Sequence, residues 1–229
     1  MIKIIYKSRD ITVINKPIGI PSESDPTGAP DALTLTSEAL KQTGEDGTLY
    51  LVHRLDRVTG GTLAFARNKK AAGELSALFA SHNITKEYLA VCDGETEDKA
   101  ELSDLLYRDA RAGKAFIVDR ERGGVKHAEL EYRTLARAVS EGGIKSLVLV
   151  TLKTGRFHQI RAQLSHRKTP ITGDGKYGSR DKCEGIALHS ARLVLPISKR
   201  TIKAVSMPDM TKYPWSLFDA ESIEKELML

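Results

Sequence analysis

The sequence predicts an α+β protein with a largely antiparallel sheet, on three observations. Ile2–Tyr6 and Ile11–Ile14 are β-branched runs on either side of the turn sequence Ser8-Arg9-Asp10, the pattern of a hairpin. Ala128, Leu130 and Tyr132 alternate with Glu129, Glu131 and Arg133, the period of two of a half-exposed strand. Strand-like segments also follow one another with few helices between them, which argues against a doubly wound parallel sheet.

Each element follows from local pattern. Asn15-Lys16-Pro17-Ile18-Gly19-Ile20-Pro21 is a rigid, punctuated loop, and residues 22–30 are polar with Pro and Gly. A first helix is expected from near Asp31 through Leu33 and Leu40. Leu63–Ala66 reads as a buried strand, followed by a helix over Lys69–His82 with Ala72, Leu75, Leu78, Phe79 and His82 on one face. Tyr88–Cys92 reads as a strand, and residues 93–125 as an irregular excursion or hairpin around Ala115–Val118. Ser146–Leu152 is the expected partner of the alternating strand, across a turn at Ser140–Lys145. A short helix is expected over Gln159–His166, late strands at Leu193–Leu195 and Ile202–Val205, and a closing helix over Trp215–Leu229 after Pro214.

Composition narrows the class. A chain of 229 residues, 41% hydrophobic and 28% charged, buries a real core and is expected to form one domain over 1–229. Lys and Arg total 35 against 30 Asp and Glu, a surplus of +5 that mildly favours a polyanionic partner. Cys92 and Cys183 stand far apart, which fits reduced thiols and gives no zinc spacing. The N-terminus is too polar for a signal-peptide core, and no apolar run approaches the ~20 residues of a membrane helix. A soluble, cytoplasmic protein with no membrane partner, monomeric by default, is expected.

Three segments concentrate polar groups beside glycine: His53–Gly61, Lys86-Glu87-Tyr88 and Gly155–Arg161. Asp56 is the one carboxylate between Asp46 and Glu74, and it lies among His53, Arg54 and Arg57. Cationic neighbours keep a carboxylate ionised, as a nucleophile or general base requires. Taken alone, a structural ion pair is the commoner explanation. In the third segment Arg156, His158 and Arg161 fall within six positions, with Lys153 upstream and His166, Arg167 and Lys168 downstream. A solvated basic face and a phosphate-contacting edge both fit. Gly173-Asp174-Gly175-Lys176-Tyr177-Gly178 matches G-x-G-x-x-G but lacks the preceding strand and following apolar helix of a dinucleotide site, so it reads as a glycine-rich surface loop. His82 and His127 are expected at the surface or a strand edge, and His189 in core packing. No histidine spacing supports a metal.

The ordered motifs carry a resemblance. His53-Arg54-Leu55-Asp56-x-x-Thr59-x-Gly61 resembles the signature of the RluA-type family of RNA pseudouridine synthases, and Gly155-Arg156-x-His158-Gln159-Ile160-Arg161 resembles a later motif of the same family. Asn15-Lys16-Pro17-x-Gly19, Lys86-x-Tyr88-x-Ala90, Pro170-Ile171-x-Gly173-Asp174 with Tyr177-Gly178, and Leu188-His189 follow its order, from about residue 5 to about residue 197. Gly60 stands where Ser is usual, Phe157 where Thr is usual, and Gln163 where His is common. The resemblance implies a mixed, mostly antiparallel sheet with flanking helices and no separate N-terminal RNA-binding module. It also implies Asp56 as the catalytic aspartate, Tyr88 as the aromatic stacking on the target base, and Arg161 as the partner of the Asp56 carboxylate. Arg54 would hold the target nucleotide out of its helix, and Leu188 would line the base pocket, with Ile160 as further lining.

The implied reaction breaks N1–C1′ of uridine, turns the base and joins C5 to C1′. Atoms and electrons balance within the nucleotide, so the chemistry calls for no cofactor. The expected partner is a structured RNA, rRNA or tRNA, and which uridine is modified is open. A non-catalytic RNA-binding protein is disfavoured because Asp56, Tyr88 and Arg161 are all present. A hydrolase would need a second carboxylate or a metal aimed at water, and no such constellation stands out.

Overall fold

The computed structural model describes residues 2–26, 28–81, 83–197 and 200–228. The chain divides into two compact units, Met1–Lys86 with His189–Pro208 and Met228, and Glu87–Leu188 with Asp209–Leu227. Its strands are β1 (Lys3–Lys7), β2 (Ile11–Lys16), β3 (Tyr50–Leu51), β4 (Gly60–Ala66), β5 (Thr85–Asp93), β6 (Lys99–Asp109), β7 (Lys114–Val118), β8 (Val125–Ser140), β9 (Gly143–Leu152), β10 (Leu188–Ile197) and β11 (Arg200–Val205). Its helices are α1 (Ala32–Gln42), α2 (Lys69–Ala80), α3 (Gln159–His166) and α4 (Ala220–Met228), with 3-10 turns at Gly175–Tyr177 and Trp215–Leu217. The class is α+β, as the sequence predicts.

In the first unit β1 pairs antiparallel with β2, β2 with β4, β3 with β4 and β10 with β11, while β4 and β10 run parallel. Ile11, Val13, Ala64, Ala66, Leu193 and Leu195 form the core with Ala71 and Leu75 of α2. The helices start where side chains satisfy orphan amides. Asp31 accepts from Thr34 N at 2.9 Å to open α1, and Asn68 accepts from Ala71 N at 2.9 Å to open α2. Leu78 and Phe79 pack against the core as expected. The expected extension of that face to His82 lies outside the described residues.

The second unit is an antiparallel sheet in the order β5-β9-β8-β6-β7. Ala128, Leu130 and Tyr132 are buried, so the period-two reading holds. The stretch 93–125 differs from an irregular excursion: β6 is an eleven-residue strand that forms a hairpin with β7. Of its eleven side chains, Leu102 and Leu106 are buried, so β6 owes its form to two paired edges rather than to a strong pattern of its own. The closing helix is also shorter than expected. Residues 215–217 make a 3-10 turn, and α4 opens only where Asp219 accepts from Ser222 N at 2.8 Å.

Candidate active site

In the first unit Asp56 lies between β3 and β4, on a half-buried loop stitched to the segment after β2. Ser22 holds Leu55 from both sides, its Oγ accepting from Leu55 N at 3.0 Å and donating to Leu55 O at 2.9 Å. Gly19 N donates to Arg57 O at 2.8 Å, and Arg57 Nε donates to Gly19 O at 2.8 Å. Thr59 N closes a turn on Asp56 O at 3.0 Å. The carboxylate is therefore presented on a backbone tied down at each neighbour. Beyond it, β4 begins against β10. Gly61 has φ +110°, and a Cβ there would lie 2.2 Å from Ser190 O, so only glycine fits. At Gly60, where Ser is usual in the resembled motif, a Cβ would stand 3.1 Å from Ile18 and 3.2 Å from Lys16 O.

The charges around Asp56 differ from the sequence expectation. His53 is not a cation: its Nε2 accepts from Ala64 N at 2.9 Å, its ring stacks on Phe79 at 4.2 Å, and enclosure pushes its pKa down to about 3. Arg54 is exposed and pairs with Glu23 at 3.0 Å, and Arg57 reaches Asp25 at 3.9 Å. A cation of this unit that interacts with Asp56 is Lys16, a residue the sequence showed only as part of a loop motif. Lys16 is fully buried. Its Nζ donates to Ile20 O at 2.7 Å, Pro17 O at 3.0 Å and Arg57 O at 3.4 Å. Desolvation lowers its pKa from 10.5 to about 8, against the opposing pull of the Asp56 carboxylate. His189 is buried as expected, with Nε2 3.1 Å from Ser206 Oγ, and burial pushes its pKa to about 3.

The second unit holds Tyr88, Ile160, Arg161 and Leu188, all buried. Tyr88 stands on β5 opposite Val150 of β9. Arg161 and Ile160 lie in the first turn of α3. Residue 158 precedes that helix in a left-handed conformation (φ 53°), so His158 stands outside the helix that carries Arg161. The entry to α3 is fixed by Gln159, whose Oε1 accepts from Arg156 N at 2.9 Å and Thr154 Oγ1 at 2.8 Å, while its Nε2 donates to Glu129 O at 3.0 Å.

Arg161 is held by Asp174, its Nε donating at 2.6 Å and its Nη2 at 2.9 Å. Such a two-point fork both neutralises and orients a guanidinium. Asp174 is itself almost fully buried, so the Gly173–Gly178 segment, exposed at Gly175, Lys176 and Gly178 as a surface loop should be, is anchored by an interior carboxylate. It folds as a 3-10 turn with Tyr177 inside. Tyr177 Oη accepts from Ala115 N at 2.8 Å, and its ring centroid lies 4.9 Å from the Arg161 guanidinium carbon. Gly173 has φ +84°, and a Cβ there would meet Cys183 Sγ at 2.3 Å. Asp174 and Lys16 were legible only as members of ordered motifs, without a role.

The basic segment 153–168 is largely engaged inside the unit. Lys153 pairs with Glu131 at 2.8 Å, Arg167 with Asp104 at 2.7 Å, and Arg156 Nε donates to His127 O at 2.8 Å. It is therefore not a plain solvated face. His127 is exposed as expected and lies 2.9 Å from Glu121. Among the described residues no group of three or more His, Cys, Asp or Glu is arranged to hold a metal ion, and no helix is long and apolar enough to cross a membrane.

Comparison with known proteins gives a consistent match. The family model described as RNA pseudouridylate synthase matches residues 10–166. The chain is 28% identical to the tRNA pseudouridine synthase C of Haemophilus ducreyi, covering 93% of each chain. It is 33% identical to the tRNA pseudouridine synthase C of Yersinia pestis over 86% of this chain and 79% of the other. With the ribosomal large subunit pseudouridine synthase D of Borreliella burgdorferi it shares 32% identity over 88% of this chain and 63% of that protein. Among solved structures, human RNA pseudouridylate synthase domain containing 1 superposes with a TM-score of 0.80 at 26% identity, covering 100% of this chain and 95% of the other.

Proposed function

The chain belongs to the RNA pseudouridylate synthase family, and from that premise we propose that it isomerises a uridine in structured tRNA or rRNA, with Asp56 as the carboxylate that works on the ribose. The single observation that carries this assignment is the pinned loop. Asp56 is half-buried, its neighbours are tied through Ser22, Gly19 and Lys16, and its motif lies within the matched residues. A carboxylate so fixed loses little entropy on meeting the sugar.

The reaction runs within one nucleotide. The N1–C1′ bond breaks, the base turns, C5 joins C1′, the C5 proton leaves and N1 regains a proton. Attack of Asp56 on C1′ and removal of the C2′ proton to give a glycal both use this carboxylate. In the proposed site Arg161 partners Asp56. Tyr88 stacks on the target base, while Leu188 and Ile160 supply apolar lining that retains the detached uracil.

A base inside a helix cannot reach this site. Flipping it out costs a few kcal/mol, which phosphate contacts and stacking offset. Exposed Arg54 would help hold the nucleotide out. Residues 1–229 act as one catalytic domain, monomeric and cytoplasmic, where tRNA and rRNA reside.

The experiment compares wild type with Asp56→Asn on RNA purified from cells lacking the protein. We expect the variant to bind that RNA within about twofold of wild type and to lose turnover by on the order of 10³-fold or more. Normal turnover by Asp56→Asn would overturn the assignment.

A further inference from the structure

The second unit ends at an edge whose chemistry the catalytic residues do not use. β7 is the last strand of the order and pairs with β6. Between residues 107 and 127 the chain carries six cations, Arg108, Arg111, Lys114, Arg120, Arg122 and Lys126, against three carboxylates. Two of those carboxylates are engaged locally. Asp109 caps the hairpin turn, accepting from Arg111 N at 2.9 Å and Ala112 N at 3.0 Å, and Glu121 pairs with His127. Lys153 and Arg167 are neutralised by Glu131 and Asp104, whereas none of these six cations forms an ion pair among the described residues. The net +3 of this short stretch is most of the +5 of the whole chain.

Aromatic rings stand among the charges. Tyr107 and Phe116 are direct cross-strand partners. Phe116 is 40% exposed, in a protein with few exposed large apolar side chains. The Arg122 guanidinium lies 4.7 Å from the Tyr107 centroid, and Lys114 Nζ lies 5.4 Å from that of Phe116. The neighbours Ala115 and Ile117 turn the other way, toward Leu106, Ala162 and Tyr177. The hairpin therefore has one face packed inward, where Arg108 lies 4.5 Å from the Phe157 centroid and Lys114 Nζ reaches within 4.8 Å of that of Tyr177, and one face that turns Phe116 and Tyr107 outward with the Arg122 guanidinium beside them. Rings with flanking guanidinium and ammonium groups suit unpaired bases between phosphates. An apolar protein partner would instead bury those charges without compensation.

We propose that the outer face of the β6–β7 hairpin, with the following residues 119–126, is a second RNA-docking surface. It would grip a single-stranded flank of the substrate by stacking on Phe116 and Tyr107 and by phosphate contacts from Arg111, Arg120 and Arg122. This inference rests on the RNA substrate of the proposed function.

The test uses the full chain with RNA purified from cells lacking the protein, and follows affinity, its salt dependence and the single-turnover rate at saturating RNA. One variant removes charge (Arg111→Gln, Arg120→Gln, Arg122→Gln) and a second removes the ring (Phe116→Ala). A control removes three exposed cations of the first unit (Lys3→Gln, Lys69→Gln, Lys70→Gln). We expect the charge variant to bind at least about tenfold more weakly, with a log–log salt slope shallower by about 2. The ring variant should lose about fivefold or more with an unchanged slope. Both should keep the wild-type rate at saturation, and the control should bind within about twofold of wild type. Wild-type affinity and slope in both hairpin variants, while pseudouridine is still made, would overturn this surface alone, as would an equal loss in the control. Failure of wild type to make pseudouridine would instead overturn the proposed function and this surface with it.

Discussion

Lys16 in the first unit and Arg161 in the second are both buried cations, yet they are accommodated in opposite ways. Arg161 meets a carboxylate, Asp174, through two parallel hydrogen bonds. Lys16 meets three backbone carbonyls, and its pKa falls to about 8. Carbonyl dipoles solvate an ammonium less well than a carboxylate neutralises a guanidinium. Arg161 therefore keeps its charge at any working pH, while Lys16 can lose its proton just above neutrality. A cation that must always be present suits an arginine with its own carboxylate. A lysine held by carbonyls makes the stability of the loop around Asp56 depend on pH.

The largest effect should come from breaking the stronger of these arrangements. Asp174→Ala removes both charged hydrogen bonds of the fork that holds the buried Arg161 guanidinium and should cost about 3–5 kcal/mol of unfolding free energy in a urea titration. Adding Arg161→Met to that variant should restore part of the loss, because the buried guanidinium that lost its fork is then gone.

Lys16 sharpens the contrast through pH. Its folded pKa lies below the unfolded value, so the unfolded chain holds a proton that the native state has released between about pH 8 and 10.5. Stability contributed by this group must therefore rise with pH across that window, by on the order of 3 kcal/mol. The stability difference between wild type and Lys16→Met, followed from pH 7.5 to 10.5, should show that rise. A constant difference would mean that the buried ammonium is solvated better than its surroundings imply. His189 behaves alike at the acid end. With its pKa pushed from 6.5 to about 3, its neutral ring favours folding above pH 6.5, and that advantage fades as pH falls. His189→Gln should flatten the acid limb of the stability profile.

The smallest structural effect is expected at Arg54, whose pair with Glu23 sits in solvent. Arg54→Gln should move Tm by no more than about 2 °C, yet lower turnover on structured RNA if this side chain holds the flipped nucleotide. A large loss of Tm with unchanged turnover would reverse its proposed role.

What was legible in the sequence follows the range of the interactions involved. α3 begins and ends as expected, and the burial of Ala128, Leu130 and Tyr132 follows from alternation, since both are decided within a few residues. β6 was not legible, because its strand character comes from pairing with β7 on one side and β8 on the other. The Gly173–Gly178 segment looked solvent-bound by composition, and only Arg161, thirteen positions earlier, makes Asp174 an interior residue. His53 and Lys16 exchanged places in the expectation around Asp56. A histidine next to arginines looks cationic in sequence, but stacking on Phe79 and accepting from Ala64 keep it neutral. Lys16, forty positions before Asp56, adds a buried cation that the local sequence around Asp56 does not show. Motif order singled out Asp56, while Ser22, Gly19 and Lys16, which tie its neighbours, come from segments distant in the chain.

Mapping pseudouridines in total RNA from cells with the protein, without it, and with only Asp56→Asn tests the central claim most directly. One or more specific uridines in tRNA or rRNA should be converted in the first case and left unmodified in the other two. An identical pseudouridine map in all three would contradict the account.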